Sequence, residues 1–368
     1  MDIRDLVPEH ILSITPYQPG KPIEELQREL GISDCIKLAS NENPLGPSPK
    51  ALEAMQKAVN KANYYPDGGS YYLKEALAKK FHVRSSQIFT GSGSDEVIEL
   101  MMRTFLTPAD DVVLSQYSFI VYTLTALGIG CKIRSIPRRP DYTHDLSAMA
   151  DAITDNTKMV FIDNPTNPLG TMVGQDAFDA FMKNVPERVL VVSDEAYDEY
   201  VDADDFPNSL EYLENGRRIL VLKTFSKIYG LAGLRIGYGL GPDEIIDAAN
   251  RIRPPFNVNA IAQAAALAAL DDRDHVERSQ QVNSAGKVYL YKEFEALGLS
   301  YIPSYGNFVT VDFGREAAPI NESLLRQGVI VRPIKGYGLP NHLRISIGTQ
   351  QQNERLIQAL QHALTETA

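Results

Sequence analysis

Lys227 stands where a lysine could act as an amine nucleophile. It follows the strand-like run Ile219–Lys223 and lies in a Ser- and Gly-rich stretch that also contains Arg235. A lysine held in a pocket beside another cation has a lowered pKa, so its neutral amine could attack a carbonyl carbon. Lysines are normally exposed, so a lysine in a surface turn is the preferred interpretation when Lys227 is considered alone.

Three other apolar runs also end in residues with chemical potential. One leads into the turn 91–96 (Gly-Ser-Gly-Ser-Asp-Glu), whose free backbone N–H groups favour a phosphate. A second leads to Asn167 in a Pro-rich loop, and a third to Asp194 and Tyr197. Each has an ordinary alternative: a glycine turn, a Pro/Asn turn or a helix-capping aspartate. One cofactor would need all of them together, namely an amine, a carboxylate for a pyridine nitrogen, polar groups at a phenolic oxygen and an anion cup.

The elements that must position these residues alternate between short β-rich runs and amphipathic helical stretches from Ser86 to Tyr238. Strands are predicted at Gln87–Thr90, Asp111–Ser115, Lys132–Ile136, Met159–Asp163, Val189–Ser193 and Ile219–Lys223. Several of these runs, such as Met159–Ile162 and Ile219–Leu222, are continuously apolar, which is typical of strands covered on both faces. We therefore predict an α/β fold with a mostly parallel sheet covered by helices, and ligands bind such sheets beyond the carboxyl ends of the strands.

The chain of 368 residues predicts three parts: an N-terminal arm over 1–47, a large domain over 48–245 and a smaller α+β domain over 246–368. The arm is rich in proline and carries one short helix near Pro22–Leu30; Ser48 and Pro49 then begin a helix over 49–62. The small domain is predicted to begin with a long helix at His275–Leu297 and to end with a terminal helix. Between them, four strands are predicted at Tyr301–Ile302, Phe308–Phe313, Ile330–Arg332 and Leu343–Ile347.

Composition excludes several classes of protein. The net charge of −11 argues against nucleic-acid or anionic-membrane binding. Met1 to Ser13 lack an export signal, no run is apolar enough to span a membrane, and Cys35 and Cys131 fit a reducing cytoplasm. The six histidines have no metal-binding spacing, so no metal is predicted.

Arg138-Arg139 and Arg251–Arg253 are interpreted as surface or interface charge, although the second cluster precedes Asn257 in a possible active-site wall.

The motifs resemble those of the fold-type I, aspartate-aminotransferase-like enzymes, which depend on pyridoxal 5′-phosphate (PLP). Ser226-Lys227 followed by Leu231-Ala232-Gly233-Leu234-Arg235 is similar to their cofactor-lysine signature. Within that family the chain is most similar to the histidinol-phosphate aminotransferases, whose motifs it matches in order at Thr15–Gln18, Ser40–Pro44, Tyr65–Asp67, Gly93–Glu96 and Leu343–Ile345. The resemblance implies transamination between histidinol phosphate and glutamate or 2-oxoglutarate, a step of histidine biosynthesis.

The resemblance also implies roles for individual residues. Lys227 would form the imine with PLP and later move a proton between the substrate Cα and the cofactor. Asp194 would pair with the pyridinium nitrogen, Tyr197 and Asn167 would hydrogen-bond the phenolic oxygen O3′, and Phe119 would stack on the ring, where the family often has tyrosine. The phosphate of PLP would be held by Ser94, Asp95, Thr224, Ser226 and Arg235.

Further positions are implied for the substrate and a partner subunit. Tyr65 would reach into the active site of a second copy, which implies a homodimer with shared active sites. Arg344 would bind the α-carboxylate of glutamate with its planar fork, and it could also bind the phosphate of histidinol phosphate. Arg332 and Tyr17 are candidates for the distal anion of the substrate, and an exposed arginine is the equal alternative for Arg332.

Other functions remain open at this point. An aromatic amino-acid aminotransferase would use the same fold and arginines with an apolar distal pocket. A PLP-dependent decarboxylase of amino-acid phosphates would release carbon dioxide without converting PLP to its amine form. A dinucleotide-binding oxidoreductase would need a third glycine after Gly91 and Gly93, and a ligand-binding regulator would need a DNA-binding domain for which no residues remain.

Overall fold

The structure is a computed structural model that describes residues 3–367. Met1, Asp2 and Ala368, the outermost residues of the predicted arm and small domain, lie outside the described residues. Along the described chain, no helix has both the length and the apolar character needed to cross a membrane.

Residues 3–367 form thirteen strands and fourteen α-helices. The strands are β1 (Ile36–Lys37), β2 (Ile88–Gly91), β3 (Asp111–Ser115), β4 (Lys132–Ile136), β5 (Thr157–Asp163), β6 (Leu190–Asp194), β7 (Ile219–Thr224), β8 (Gly237–Leu240), β9 (Ser300–Ile302), β10 (Phe308–Asp312), β11 (Val329–Ile330), β12 (Arg332–Pro333) and β13 (His342–Ser346). The helices are α1 (Glu9–Leu12), α2 (Ile23–Leu30), α3 (Pro49–Val59), α4 (Tyr71–Phe81), α5 (Ser94–Phe105), α6 (Ile120–Ile129), α7 (Leu146–Asp151), α8 (Gln175–Asn184), α9 (Ser209–Glu214), α10 (Asp243–Asn250), α11 (Ala260–Leu270), α12 (Arg273–Ala296), α13 (Ala318–Arg326) and α14 (Gln350–Glu366).

A seven-stranded sheet lies at the centre of the larger part of the molecule, in the order β2-β8-β7-β6-β5-β3-β4. All neighbours pair in parallel except β8, which is antiparallel to both β2 and β7. A smaller antiparallel sheet has the order β12-β13-β10-β9, and β1 pairs in parallel with β11. The predicted α/β fold with a mostly parallel sheet and a smaller α+β part is confirmed.

The large sheet is buried on both faces, as its continuous apolar runs predict. Along β5, Met159 and Phe161 pack into one hydrophobic cluster, while Val160 and Ile162 pack into the other. Successive strand residues point to opposite faces, so both sets must be apolar when helices cover both sides. A third cluster, which includes Phe294, fills the core between the smaller sheet and its helices.

The carboxyl ends of β5, β6 and β7 meet at one edge of this sheet. Asp163 and Asp194 are Cα partners at the ends of β5 and β6. Thr224, the last residue of β7, pairs with Gly237, the first residue of β8. Because β8 runs antiparallel, its beginning lies at the same edge, and Arg235 just before it is brought to that edge as well.

Two predicted elements differ from those observed. The single strand predicted at Ile330–Arg332 is divided, since β11 pairs with β1 and β12 pairs with β13 in another sheet. Pro333 lacks an N–H group, so β12 can lie only at a sheet edge. The helix predicted over 49–62 ends at Val59, and the next N–H groups bond three residues back in a tighter turn.

Helix α11 bears on the domain boundary predicted at residue 245. It packs against α3 and α4, and its buried alanines belong to a hydrophobic cluster of the large sheet. The boundary at residue 245 therefore stays a prediction, and the packing of α11 favours a boundary later in the chain.

Candidate active site

A cavity of about 400 Å³ lies at the carboxyl edge of the large sheet. Eleven of the residues predicted from the sequence line it together: Tyr17, Ser94, Asp95, Phe119, Asn167, Asp194, Tyr197, Thr224, Ser226, Lys227 and Arg235. These residues come from segments that are far apart in the chain. All except Tyr17, which the N-terminal arm supplies, meet because the strands before them end at the same edge.

The amine of Lys227 reaches into this cavity from the loop after β7. Its Nζ donates a hydrogen bond to the backbone oxygen of Ser40 at 3.2 Å and lies 5.6 Å from the centre of the Tyr197 ring. Removal from water and the nearby Arg344 guanidinium lower the pKa of Lys227 to about 8. At pH 7 roughly a tenth of this amine is therefore neutral, and hence nucleophilic, which is far more than for an ordinary lysine.

A second buried lysine, Lys223 in β7, has the opposite character. Its Nζ lies 3.0 Å from Glu195 Oε2 and donates to the carboxylate of Asp198. Burial works against its charge, but these carboxylates raise the pKa of Lys223 well above its ordinary value. Lys223 is a fixed cation, and Lys227 is the lysine suited to nucleophilic attack.

Asp194 lies at the end of β6 with 5% of its surface exposed. Burial raises its pKa to about 7, against the opposing effect of the Tyr122 hydroxyl, which donates a 2.5 Å hydrogen bond to Oδ2. The backbone N–H of Ala196 donates to Oδ1 at 3.2 Å. A carboxylate in such a dry setting gains strongly from a cationic partner, for which a protonated ring nitrogen is suitable.

Tyr197 and Asn167 are held in place by residues from other parts of the chain. The Asn41 side-chain amide donates to the Tyr197 hydroxyl at 2.9 Å, which leaves the phenolic proton free to point into the cavity. Arg344 donates to Asn167 Oδ1 at 2.5 Å and to the backbone oxygen of Ala39 at 2.7 Å. The arm, the smaller sheet and the large sheet therefore all contribute to the site.

The beginning of α5 forms a cup suited to an anion. Gly93, the residue before the helix, has a φ of 85° and provides no side-chain cap, so the first N–H groups of the helix remain available. A Cβ atom at Gly93 would stand 2.2 Å from Arg235 Nη2, and one at Gly237 would stand 2.4 Å from Ser94 N. Arg235 Nη2 also lies 3.1 Å from Asp95 Oδ2. Glycine is thus required where the backbone and a guanidinium converge.

The remaining predicted residues lie at the border of the cavity or outside it. Arg332 Nη2 donates to the Tyr17 hydroxyl at 3.1 Å and to the backbone oxygen of Gln18 at 2.8 Å, so it adjoins a lining residue. Tyr65 is 83% exposed and stacks on Phe256 at 4.7 Å between ring centres. Within residues 3–367 no three His, Cys, Asp or Glu side chains are grouped to hold a metal ion.

Comparison with known proteins places this site in a family. The family model described as aminotransferase class I and II matches residues 33–360. The chain belongs to the class I and II aminotransferases. It is 53% identical to the histidinol-phosphate aminotransferase of Moorella thermoacetica over 97% of this chain and 92% of that one. It is 48% identical to histidinol-phosphate aminotransferase 2 of Pseudomonas aeruginosa over 98% of both chains.

Solved structures agree with this membership. The histidinol-phosphate aminotransferase of Sinorhizobium meliloti, solved in complex with pyridoxal-5′-phosphate, superposes with a TM-score of 0.90 at 30% identity, covering 98% of each chain. The aspartate aminotransferase of Thermus thermophilus with maleate, at 24% identity and a TM-score of 0.84, shares the fold. The resemblance stated from the motifs is therefore confirmed at the level of the family and the fold.

Several residues that hold the predicted site residues in place escape sequence reasoning. Tyr122 lies one helical turn after Phe119, a spacing that could have indicated it. Asn41 belongs to one of the matched motifs and Asp163 ends a predicted strand, but no local pattern indicates what either side chain contacts. Arg138, predicted to be surface or interface charge, has a side chain only 2% exposed, which corrects that interpretation. The Arg138 guanidinium is buried because it donates to oxygen acceptors inside the fold. No local sequence pattern reveals these acceptors.

Proposed function

We propose that this aminotransferase uses PLP to move an amino group between histidinol phosphate and glutamate, with imidazole acetol phosphate and 2-oxoglutarate as the corresponding oxo compounds. The observation that carries the proposal is the meeting of Lys227, Asp194, Tyr197 and Arg235 around one cavity. The full-length similarity to histidinol-phosphate aminotransferases supports the choice of substrate.

The residues present fit PLP. Gly93 and Gly237 leave room for an anion at the beginning of α5, where any Cβ atom would collide with a neighbouring group. The buried Asp194 carboxylate, with a pKa raised to about 7 by burial, suits a protonated pyridine nitrogen. Ser94, Asp95, Thr224, Ser226 and Arg235 would hold the phosphate, and Phe119 would cover the ring.

The chemistry that PLP supplies defines a role for each of these cavity residues. PLP supplies an aldehyde that condenses with amines and a ring that withdraws electrons from the bond to be broken. Lys227 would hold the cofactor through its neutral amine and would take the proton from the substrate Cα. Asp194 would keep the ring nitrogen protonated, while Tyr197 and Asn167 would hydrogen-bond O3′. Asn41 orients the Tyr197 hydroxyl for that bond.

Two arginines support the assignment of the substrates. Arg344 is buried, and its planar fork adjoins Asn167, so it would receive the α-carboxylate of glutamate. Arg332 and Tyr17 form a donor pair at the cavity border that would bind the phosphate of histidinol phosphate. A doubly charged phosphate needs such cations, whereas an aromatic amino acid would need ring-sized apolar walls.

A substrate panel with matched variants tests this proposal. Histidinol phosphate, phenylalanine and tyrosine are compared as amino donors to 2-oxoglutarate, and a kcat/KM ratio above roughly a hundredfold, about 2.7 kcal/mol, identifies the preferred donor. Arg332→Met should lower kcat/KM for histidinol phosphate by roughly 10- to 100-fold and leave that for glutamate nearly unchanged, since only the phosphate would lose a charge-assisted bond. Arg251→Met, which removes an exposed arginine paired with Asp247, is the control. An equal preference for phenylalanine would contradict the assignment.

The cofactor attachment has a separate test. Lys227→Ala should abolish the visible absorbance of the bound imine, while Lys223→Ala should retain it in whatever fraction of the protein folds. An unchanged spectrum in Lys227→Ala would refute the proposed role of Lys227.

We also propose that the chain forms a homodimer with shared active sites in the cytoplasm. Tyr64, Tyr65, Tyr71 and Tyr72 are all at least 60% exposed on neighbouring segments, an apolar surface that a second copy would cover. Cys35 and Cys131 are unpaired thiols, as suits a reducing compartment.

Mixed dimers of Tyr65→Ala and Lys227→Ala test the shared site. If Tyr65 serves the site of the other copy, one site in each mixed dimer is intact, so random mixing should restore about a quarter of wild-type activity. No recovery would mean that each site is complete within one subunit.

A further inference from the structure

Asp163, the last residue of β5, receives hydrogen bonds from both sides of the proposed cofactor slot. It is 2% exposed and also lines the cavity. Its Oδ2 atom accepts the backbone N–H of Phe119 at 3.3 Å and the backbone N–H of Asn167 at 3.1 Å. Phe119 would cover the ring of PLP and Asn167 would bind its O3′. One carboxylate oxygen thus fixes the spacing between two residues that hold different parts of the cofactor.

Arg138 supplies the positive charge opposite this carboxylate. Its Nη2 lies 3.7 Å from Asp163 Oδ1, an oxygen that has no hydrogen-bond partner among the described residues. The same guanidinium donates to the backbone oxygen of Gln116 at 2.6 Å, to Thr166 Oγ1 at 3.0 Å and to Ser118 Oγ at 3.3 Å. Arg138 therefore connects the loop before Phe119 to the loop before Asn167.

Other titratable groups face this pair, among them His144, Asp194 and the Tyr122 hydroxyl. His144 Nε2 lies 3.3 Å from Asp163 Oδ1, and burial followed by the charge of Arg138 lowers its pKa, which keeps the ring neutral. Asp194, the Cα partner of Asp163, adds negative charge on the other side. Arg138 is thus the cation that balances Asp163. A buried carboxylate with one counterion and two backbone donors resists displacement, because moving either loop would leave a charge or an N–H group unpaired.

We propose that the Arg138–Asp163 pair is a positioning device that holds Phe119 and Asn167 at the correct separation for the cofactor ring. The inference rests on the proposed placement of PLP in this cavity. Neither member needs to take part in proton transfer: the pair acts through the two residues that it holds. Groups that support a binding site in this way commonly change affinity by about tenfold or more when they are altered.

The test compares two buried carboxylates on the same sheet. Asp163→Asn keeps the shape of the side chain and removes its charge. Asp111→Asn is the matched control, since Asp111 is equally buried and pairs with Arg134 at 2.7 Å, but at the beginning of β3. For each variant, apoprotein is titrated with PLP, and the dissociation constant, the visible circular dichroism of the bound cofactor and the Tm of the apoprotein are measured.

Asp163→Asn should raise the Kd for PLP about tenfold and weaken the visible circular dichroism, whereas Asp111→Asn should lower the Tm and change neither cofactor signal. Arg138→Gln provides a second variant with the same expected effect if Asp163→Asn does not fold. Wild-type Kd and circular dichroism in both variants of the pair would overturn the inference and leave the proposed function intact. Failure of the wild-type protein to bind PLP would instead overturn the proposed function, and this inference with it.

Discussion

Replacing Tyr122 by phenylalanine should change the charge of Asp194 with little change in packing. The Tyr122 ring is fully buried and stacks on Phe161 at 4.6 Å between ring centres, a contact that phenylalanine retains. Only the hydroxyl is lost, together with the 2.5 Å hydrogen bond that it donates to Asp194 Oδ2. That hydrogen bond lowers the pKa of Asp194 against the larger effect of burial.

The size of the effect follows from the charge on the acceptor. A hydrogen bond to a charged group is worth about 1.5–3 kcal/mol, and one pKa unit corresponds to about 1.4 kcal/mol. The pKa of Asp194, about 7 in the intact protein, should therefore rise by roughly one to two units in Tyr122→Phe. At pH 7 the ionised fraction of Asp194 should therefore fall by roughly 5- to 50-fold, and with it the attraction for the pyridinium nitrogen.

The assay is the Kd for PLP as a function of pH. A carboxyl group with a raised pKa regains its charge only at higher pH, so the ratio of the variant Kd to the wild-type Kd should be largest below about pH 7, where Asp194 is mostly protonated in both proteins, and should approach one as the pH rises through the new pKa. Tyr238→Phe is the control, because the Tyr238 hydroxyl is buried but has no hydrogen-bond partner within the described chain. A ratio that is near one throughout, or that is raised equally at every pH, would refute the reasoning.

Three further predictions concern the lysines and the anion cup. Lys223→Met should destabilise the protein by about 3–5 kcal/mol in denaturant unfolding, because Glu195 loses its buried counterion, and an unchanged free energy of unfolding would contradict this. Gly93→Ala should raise the Kd for PLP sharply, since a Cβ atom at this position would stand 2.2 Å from Arg235 Nη2 and the φ of Gly93 is 85°. Titration of the apoprotein with PLP measures this Kd. The rate at which apoprotein captures PLP should rise with pH and level off above about 8, where Lys227 is neutral, and a rate that falls over this range in stopped-flow absorbance would count against that pKa.

The strands of the large sheet could be predicted because their signal is local. Asp111–Ser115 and Lys132–Ile136 are observed at the predicted bounds. The first strand is buried at every position, as its apolar centre indicates, whereas the second lies at the edge of the sheet and is partly exposed. The polar residues after such strands were correctly expected to meet at one edge. The strand predicted at Ile330–Arg332 was wrong, because its two halves pair with partners in different sheets. A short run of residues does not encode which strand it will pair with, since pairing depends on the tertiary context.

The sequence by itself predicted which residues would lie together: Lys227, Asp194, Asn167 and Arg235 are recognisable from their types and from the strands before them, and they line one cavity. Tertiary structure supplied the reason why Lys227 rather than Lys223 is suited to nucleophilic attack, because the carboxylates that hold Lys223 charged and the burial that lowers the pKa of Lys227 arise only on folding. It also decided the supports of the site, such as Tyr122 under Asp194. A pKa and a hydrogen bond depend on distances across the fold, and these distances are set by packing between segments that no local pattern relates.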